Sequence, residues 1–341
     1  MSTRRTPITR RGLAALAGAS LAATGARAQQ AGNYPNRPVT VIVPFTPGGA
    51  ADTAGRVIAK GLGDRLGQSF VVENRPGAGS TLGAAMVARA APDGYTLLGH
   101  STGAVLIGPH FMDVPYDTFR NFTPIAMTCQ SNSVVAAHPS VPFRDIPGLI
   151  AYAKANPGKL RFGSSGNGTI THLFGEIFKL EAEIDIEHVP YRGSSPALVD
   201  LLAGRVELIF DTIATEPVRN GQLIGLAVVG EERSPQIPNV PTLRELGYNR
   251  GGAVSWFGLA GPAGMPDAVV ETLVREIEKV CAMPETREAM LRMGLAPKFE
   301  AGDALRARWR REYDIYGDVI RRAGVRPGAA RSAPGPTSPL T

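Results

Sequence analysis

From Val39 onward, short apolar runs alternate with segments whose apolar residues recur at helical intervals. The short runs predict strands over 39–43, 70–73, 95–99, 133–137, 160–162, 186–189, 207–210 and 226–229. The helical intervals predict helices over 52–66, 81–91, 147–155, 169–181 and 195–204. Strand and helix in turn argue for an α/β fold of parallel βαβ units with right-handed crossovers. After Gly261 the character changes. Helices are expected there over 266–282, 284–293 and 302–323, with no clear strand pair, and one further strand over 255–259 precedes them. A chain that leaves a first lobe near Cys129 and returns near Trp256 accounts for this order. It gives two hinge crossings and a cleft between two lobes. The expected division is 29–130 plus 255–326 for the first lobe and 131–254 for the second, each long enough for its own core. The stretch Asn249-Arg250-Gly251-Gly252 leaves the second crossing without a sharp boundary.

The two ends do not share this pattern. Arg4, Arg5, Arg10 and Arg11 precede an Ala-rich apolar run over 12–23, and Ala26-Arg27-Ala28 offers a small-x-small cleavage site. The run is shorter than the about 20 residues a bilayer requires. Residues 1–28 therefore read as an export signal, twin-arginine or Sec, cleaved near Ala28 to release a periplasmic chain. The tail over 327–341 is rich in Pro, Ala and Ser and is expected to be disordered. Removing the signal changes the charge. The whole chain carries 36 Lys+Arg against 30 Asp+Glu, but residues 1–28 hold five arginines and no acid, leaving 31 against 30. That balance, without a basic run interleaved with aromatics, argues against a nucleic-acid partner. Cys129 and Cys281 are too few for a disulfide framework and are expected as buried thiols.

Candidate chemistry lies in turns that follow strands. The first is Pro44-Phe45-Thr46-Pro47-Gly48-Gly49-Ala50-Ala51-Asp52. Pro47 stiffens it, Gly48 and Gly49 remove Cβ atoms, and the helix start behind it can turn unpaired amides towards an anion. The plain alternative is a tight connection with Asp52 as cap or first-turn residue. The second turn, over 163–169, offers Ser164, Ser165, Asn167 and Thr169 as donors, with His172 on the helix that follows. Equally, Thr169 serves only as a helix cap. The third, over 189–196, carries Tyr191, Arg192 and Gly193. The fork of Arg192 suits a ligand carboxylate, or a neighbouring acid. The fourth holds His100, Ser101 and Thr102, of which His100 reads as structural, and the fifth ends a strand at Asp211. Ligands of open parallel sheets sit at the carboxyl ends of strands, so these turns converge if the lobes face each other.

Each enzyme motif lacks a part. Gly163-Ser164-Ser165-Gly166-Asn167 has Asn where a nucleophile elbow requires its second Gly. The 77–82 stretch lacks the third Gly of a dinucleotide fingerprint, and no Gly-Lys-Ser/Thr completes a P-loop. No Cys-x-x-Cys or His-Glu-x-x-His spacing suggests a metal. The reading is of no cofactor, no metal and no catalysis. The rival is an exported α/β hydrolase using Ser165.

Six stretches together carry a resemblance. They are Tyr34-Pro35-x-Arg37-Pro38, Val43-Pro44-Phe45-x-Pro47-Gly48-Gly49-x-x-Asp52 and Val72-Glu73-Asn74-Arg75-Pro76-Gly77-Ala78-Gly79. The others are Pro92-Asp93-Gly94-Tyr95-Thr96-Leu97-Leu98, Gly163-Ser164-Ser165-Gly166-x-Gly168-Thr169 and Val189-Pro190-Tyr191-Arg192-Gly193. From Tyr34 to about Gly324 the chain resembles the periplasmic solute-binding proteins of tripartite tricarboxylate transporters, the Bug receptors. The resemblance implies a two-lobed Venus-flytrap fold, type II-like, that closes over a small carboxylate. Di- or tricarboxylates, acidic amino acids and aromatic acids all fall in that class. Backbone amides of the first and second turns, with ordered waters, would hold one carboxylate. By motif this nominates Phe45, Thr46, Pro47, Gly48, Gly49, Ala50 and Asp52 in the first lobe. In the second it nominates Ser164, Ser165, Asn167, Thr169 and His172, with Tyr191, Arg192, Gly193 and Asp211 behind them. It further implies a monomer that delivers ligand to a permease of two unequal membrane subunits, or a sensor subunit without a transport role.

Overall fold

The computed structural model describes residues 34–230, 232–248 and 254–322. The expected signal over 1–28, the tail over 327–341 and the stretch 249–252 lie outside the described residues. Eleven strands form among those described: β1 (Val39–Val43), β2 (Phe70–Asn74), β3 (Thr96–Ser101), β4 (Phe122–Ser131), β5 (Ser133–Ala137), β6 (Arg161–Ser164), β7 (Glu187–Pro190), β8 (Leu208–Asp211), β9 (Ile224–Val229), β10 (Ser255–Pro262) and β11 (Leu295–Ala301). The helices are α1 (Ala50–Leu66), α2 (Thr81–Ala88), α3 (Gly108–Phe111), α4 (Ile146–Ala155), α5 (Ile170–Ala182), α6 (Ser194–Leu202), α7 (Thr215–Arg219), α8 (Asp267–Ala282), α9 (Pro284–Arg292) and α10 (Gly302–Arg322).

The strands make two sheets, ordered β11-β4-β10-β3-β1-β2 and β7-β6-β8-β5-β9. Each sheet centres one lobe. In the first, β1 shows why the pattern builds it. Val39, Val41 and Val43 bury against Ala54, Ile58 and Leu62 of α1, while Ile42 points the other way, to Ala84 and Val87 of α2. A strand covered on both faces reads as an unbroken apolar run. α1 then stops at Gly67, left-handed at φ 67°, whose N–H bonds the carbonyl of Gly63 at 3.0 Å.

The expected parallel βαβ units are present, within sheets that are mixed rather than parallel throughout. β1 pairs in parallel with β2 and β3, and β6 with β7 and β8. However, β10 runs antiparallel to β3 and β4, and β5 antiparallel to β8 and β9. The crossings cause this. β4 passes into β5 with only Asn132 between them, and β10 brings the chain back from the second sheet to the first. Two strands also went unpredicted. Pro124 breaks the apolar reading of β4, and Pro297 sits at a register shift in the edge strand β11.

The carboxy-terminal helices return to cover the first sheet. Buried Trp256 of β10 donates from Nε1 to Glu312 Oε2 of α10 at 2.6 Å, and Arg308 ties Glu312 to Glu300. His100 packs edge-on between Trp256 and Trp309, each ring centroid 5.2 Å away. Burial pushes its imidazole down to about 4, so it sits neutral in the core. Cys129 and Cys281 are buried free thiols, both pushed up to about 12 by burial.

Candidate functional site: a hydroxyl-lined cleft between the lobes

One cavity collects the ends of strands from both sheets. Phe45 and Thr46 follow β1, Ser101 ends β3, Ser131 ends β4 and Ser133 starts β5. Ser165 follows β6, Asp211 ends β8 and Ser255 starts β10. The starts of three helices also line it, through Gly49 and Ala50 of α1, Thr169 and Ile170 of α5, and Ser194 of α6. Ten of the seventeen lining residues are Ser or Thr, and none is Lys, Arg or His. The first amides of a helix have no partner within it, and the helix dipole makes that end positive. Three such ends and a ring of hydroxyls give the cavity oriented donors without a formal cation in its lining. Thr46 Oγ1 is buried here with no hydrogen-bond partner among the described residues, which leaves it available to a ligand.

The second turn is held by neutral groups. The N–H of Ser165 donates to Thr171 Oγ1 at 2.9 Å, and its hydroxyl meets the same oxygen at 2.8 Å. Thr169 Oγ1 donates to the carbonyl of Gly166 at 2.7 Å. Ser164 is buried behind them, its Oγ 2.6 Å from His188 Nε2. His188 stacks on His172 at 3.8 Å, and the N–H of Gly168 donates to His172 Nδ1 at 3.3 Å. Burial pushes His172 down to about 3 and His188 to about 2, so both act as neutral braces. Among the described residues no base touches Ser165, whose hydroxyl is occupied by Thr171. The hydrolase reading loses its second component.

Asp52 braces the first turn. It is buried and accepts from the N–H of Gly48 at 3.0 Å, Asn74 Nδ2 at 2.9 Å and Arg56 Nε at 3.0 Å. Burial works to raise its carboxyl, but Arg56 and the donors from Gly48 and Asn74 outweigh that and hold it below the usual range. Asp211 differs. Its Oδ2 accepts from Ser194 Oγ at 2.5 Å and its Oδ1 from the N–H of Ile213 at 3.1 Å, with no cation beside it. Burial pushes its carboxyl up.

The structure thus brings together Phe45, Thr46, Gly49, Ala50, Ser101, Ser165, Thr169 and Asp211 around one cavity. Pro47 and Gly48, in the first turn itself, are exposed and face Ser195 of the second lobe, while Asp52 stands behind that turn and Ser164 and His172 behind the second. Thr102 is buried away from the lining. Asn167, Tyr191 and Arg192 line a separate cavity. Gly193 lies at a contact between lobes: a Cβ there would collide with Thr46 Oγ1. Ser195 Oγ donates across the same junction to the carbonyl of Pro47 at 3.1 Å. The sequence reading missed Ala51, Ser131, Ser133, Ile170, Thr171, Ser194, Thr212, Ser255 and Phe257. Ser131 and Ser133 flank the first crossing, where a polar pair around Asn132 was the available signal.

Two α/β lobes joined by two crossings, with a hydroxyl-lined polar cavity at their strand ends, define a solute-binding protein of the periplasmic type. The sequence matches the tripartite tricarboxylate transporter family receptor over residues 54–322, and the chain belongs to that family of solute-binding receptors, which are not enzymes. It is 36% identical to protein BugT of Bordetella pertussis over 319 residues, 92% of this chain and 98% of that one. Its fold matches that of R. palustris Rpa4515 with adipate at a TM-score of 0.81 and 31% identity, covering 85% and 98% of the two chains. It matches MatC from Rhodopseudomonas palustris with bound malate at a TM-score of 0.78 and 29% identity, covering 84% and 100%.

Proposed function

We propose that this chain is a periplasmic receptor that captures a small carboxylate in the cavity between its lobes and passes it to a tripartite tricarboxylate-type permease. The observation that carries this reading is the convergence of three helix starts and ten Ser or Thr residues on a cavity without Lys, Arg or His. Such a lining favours an anion through oriented dipoles and hydroxyl donors. Two structures of similar fold, one with adipate and one with bound malate, support the class. Export follows from the Arg-led apolar segment at the start of the chain, with cleavage near Ala28. Among the described residues, no helix is long and apolar enough to cross a membrane. The receptor acts as a monomer, and its permease partner is of two unequal membrane subunits.

The test is a thermal-shift screen of the chain from Gln29 against mono-, di- and tricarboxylates and acidic amino acids. A ligand at 100 times its dissociation constant adds about 2.7 kcal/mol of stability. Stabilisation by at least one acid is expected. No stabilisation by any of them overturns the reading.

A further inference from the structure

A second cavity, with about 620 Å³ of empty space, adjoins the first. Phe45 and Ser165 line both, so the two share a wall. Their chemistry differs. Arg192 lines the second cavity, beside Asn167, and is the single Lys, Arg or His side chain in either lining. It makes no hydrogen bond or ion pair among the described residues. Nearby arginines are engaged: Arg161 with Glu207, Arg205 with Asp200 and Arg75 with Glu73.

The backbone on either side of Arg192 is fixed. The N–H of Tyr191 donates to the carbonyl of Ser164 at 3.1 Å, and its hydroxyl donates to Asp200 at 2.8 Å. On the other side Gly193 is pressed against Thr46. The backbone of Arg192 is therefore set on the cavity wall, while its side chain is exposed and its guanidinium is free to swing to a ligand. The first lobe supplies the facing wall through residues 77–80, where φ is positive at four residues in a row: 140°, 46°, 59° and 77°. Ala78 and Ser80 adopt this region without being glycine. Such strain, roughly 1–3 kcal/mol per residue, persists where the surroundings over-determine the backbone, and it gathers at ligand clamps. The clamp is tight: a Cβ on Gly79 would collide with the carbonyl of Asn167.

We propose that this second cavity is a separate anion subsite, in which Arg192 pairs with the second acidic group of a ligand whose first carboxylate occupies the hydroxyl-lined cavity. This rests on the carboxylate reading above and sharpens it. The hydroxyl cavity accepts any carboxylate, whereas Arg192 selects acids with a second anionic group across the shared wall of Phe45 and Ser165. A planar fork of donors suits that group because it can bond both carboxylate oxygens.

The test uses calorimetry on the chain from Gln29 and on R192Q and R192K. The probes are straight-chain dicarboxylates from malonate to suberate, each with the monocarboxylate of equal length. The wild-type chain is expected to prefer the best dicarboxylate over its partner by roughly 10- to 100-fold, the size of a charge-assisted hydrogen-bonded pair. R192Q should erase that preference and leave monocarboxylate affinity within about twofold, while R192K should keep part of it. Equal wild-type affinity for the two series overturns the subsite and leaves the carboxylate reading intact. So does an R192Q chain that keeps the preference, or one that weakens both series alike. Failure of the wild-type chain to bind any probe overturns the carboxylate reading, and the subsite with it.

Discussion

The two turns that face each other across the hydroxyl-lined cavity are braced by opposite means. Behind the first, over 44–49, stands an ionised network of Asp52, Arg56 and Asn74. Behind the second, over 164–169, stand hydroxyls and two imidazoles that burial keeps neutral. Both designs keep formal charge out of the cavity, apart from Asp211. In the first, the charge is spent among neighbours; in the second, the hydroxyls and imidazoles are neutral, and the acid behind them, Glu176, 3.8 Å from His172 Nε2, is spent on Lys179. What each turn offers a ligand is therefore its backbone and hydroxyl groups, held in place from behind. The braces also divide by packing. A Cβ on Gly49 would make only ordinary contact, 3.9 Å from Ser194, whereas a Cβ on Gly168, at φ 73°, would press on Phe111 at 3.2 Å. The first turn is free towards the ligand, and the second is wedged against the first lobe.

The sharpest way to break this comparison is one substitution in each turn. Gly49→Val keeps an ordinary backbone, at φ −81°, and places its side chain in the cavity. Carboxylate affinity is expected to fall at least about 100-fold, or about 2.8 kcal/mol, with little change in the urea midpoint. Gly168→Ala should do the reverse, costing about 1–2 kcal/mol of stability through its left-handed backbone. Urea denaturation and calorimetry on both variants check the pair. Equal loss of binding without loss of stability in both would erase the distinction.

Next in size is the junction between the lobes. Gly193→Ala drives a Cβ into Thr46 Oγ1 and is expected to hold the lobes apart. Affinity should drop by about tenfold or more, and small-angle scattering should show no compaction on adding ligand. Compaction equal to that of the wild-type chain would show that this contact does not limit closure.

Asp211 supplies a smaller, pH-dependent effect. Its carboxyl is raised by burial, so the proton it holds favours the folded state at low pH, and that favour is lost as pH rises through the raised value. A ligand anion beside it raises the value further. Binding should then take up a proton, and affinity should weaken by up to about tenfold per pH unit above the free protein's value. Calorimetry in buffers of different ionisation enthalpy reads the uptake directly, and Asp211→Asn should abolish it. A pH-independent affinity in the wild-type chain would exclude Asp211 from the anion's surroundings.

Much of this was legible in the residues, for reasons that are local. The run over 39–43 and the glycines of the first turn declare a buried strand and a Cβ-free approach on their own. The serines of the cavity did not declare themselves. Ser131, Ser133 and Ser255 carry no motif, and they meet only because the chain crosses between sheets at those points. The crossings also made the sheets mixed, which helix-by-strand alternation along the chain does not reveal. The motif Tyr191-Arg192-Gly193 was readable as a unit, yet its three residues do different work. Two line the second cavity while the third touches Thr46. Spacing shows that residues are neighbours; the backbone at one glycine decides which way each faces.

The smallest effect separates the two braces by their response to acid. Asp52 sits below the usual carboxylate range, so its ionised contacts add stability above the unfolded value, near 3.9, and lose it as pH falls through the folded one. Asp52→Asn leaves the N–H of Gly48 and the guanidinium of Arg56 less well matched, and is expected to cost about 1 kcal/mol at neutral pH. The gap between variant and wild-type chain should close as pH drops, because the wild-type carboxyl is then protonated too. His172→Gln in the second brace removes no charge at neutral pH, so its cost should hold constant from pH 7 to about pH 4, above the range where His172 itself gains a proton. Urea midpoints decide the matter when the Asp52→Asn series is carried below about pH 3.9, into the range where Asp52 gains its proton, and the His172→Gln series is kept above about pH 4: converging curves for Asp52→Asn and parallel ones for His172→Gln identify one brace as ionic and the other as neutral. Parallel curves for both would mean that the ion pair of Asp52 and Arg56 does not hold the first turn in place.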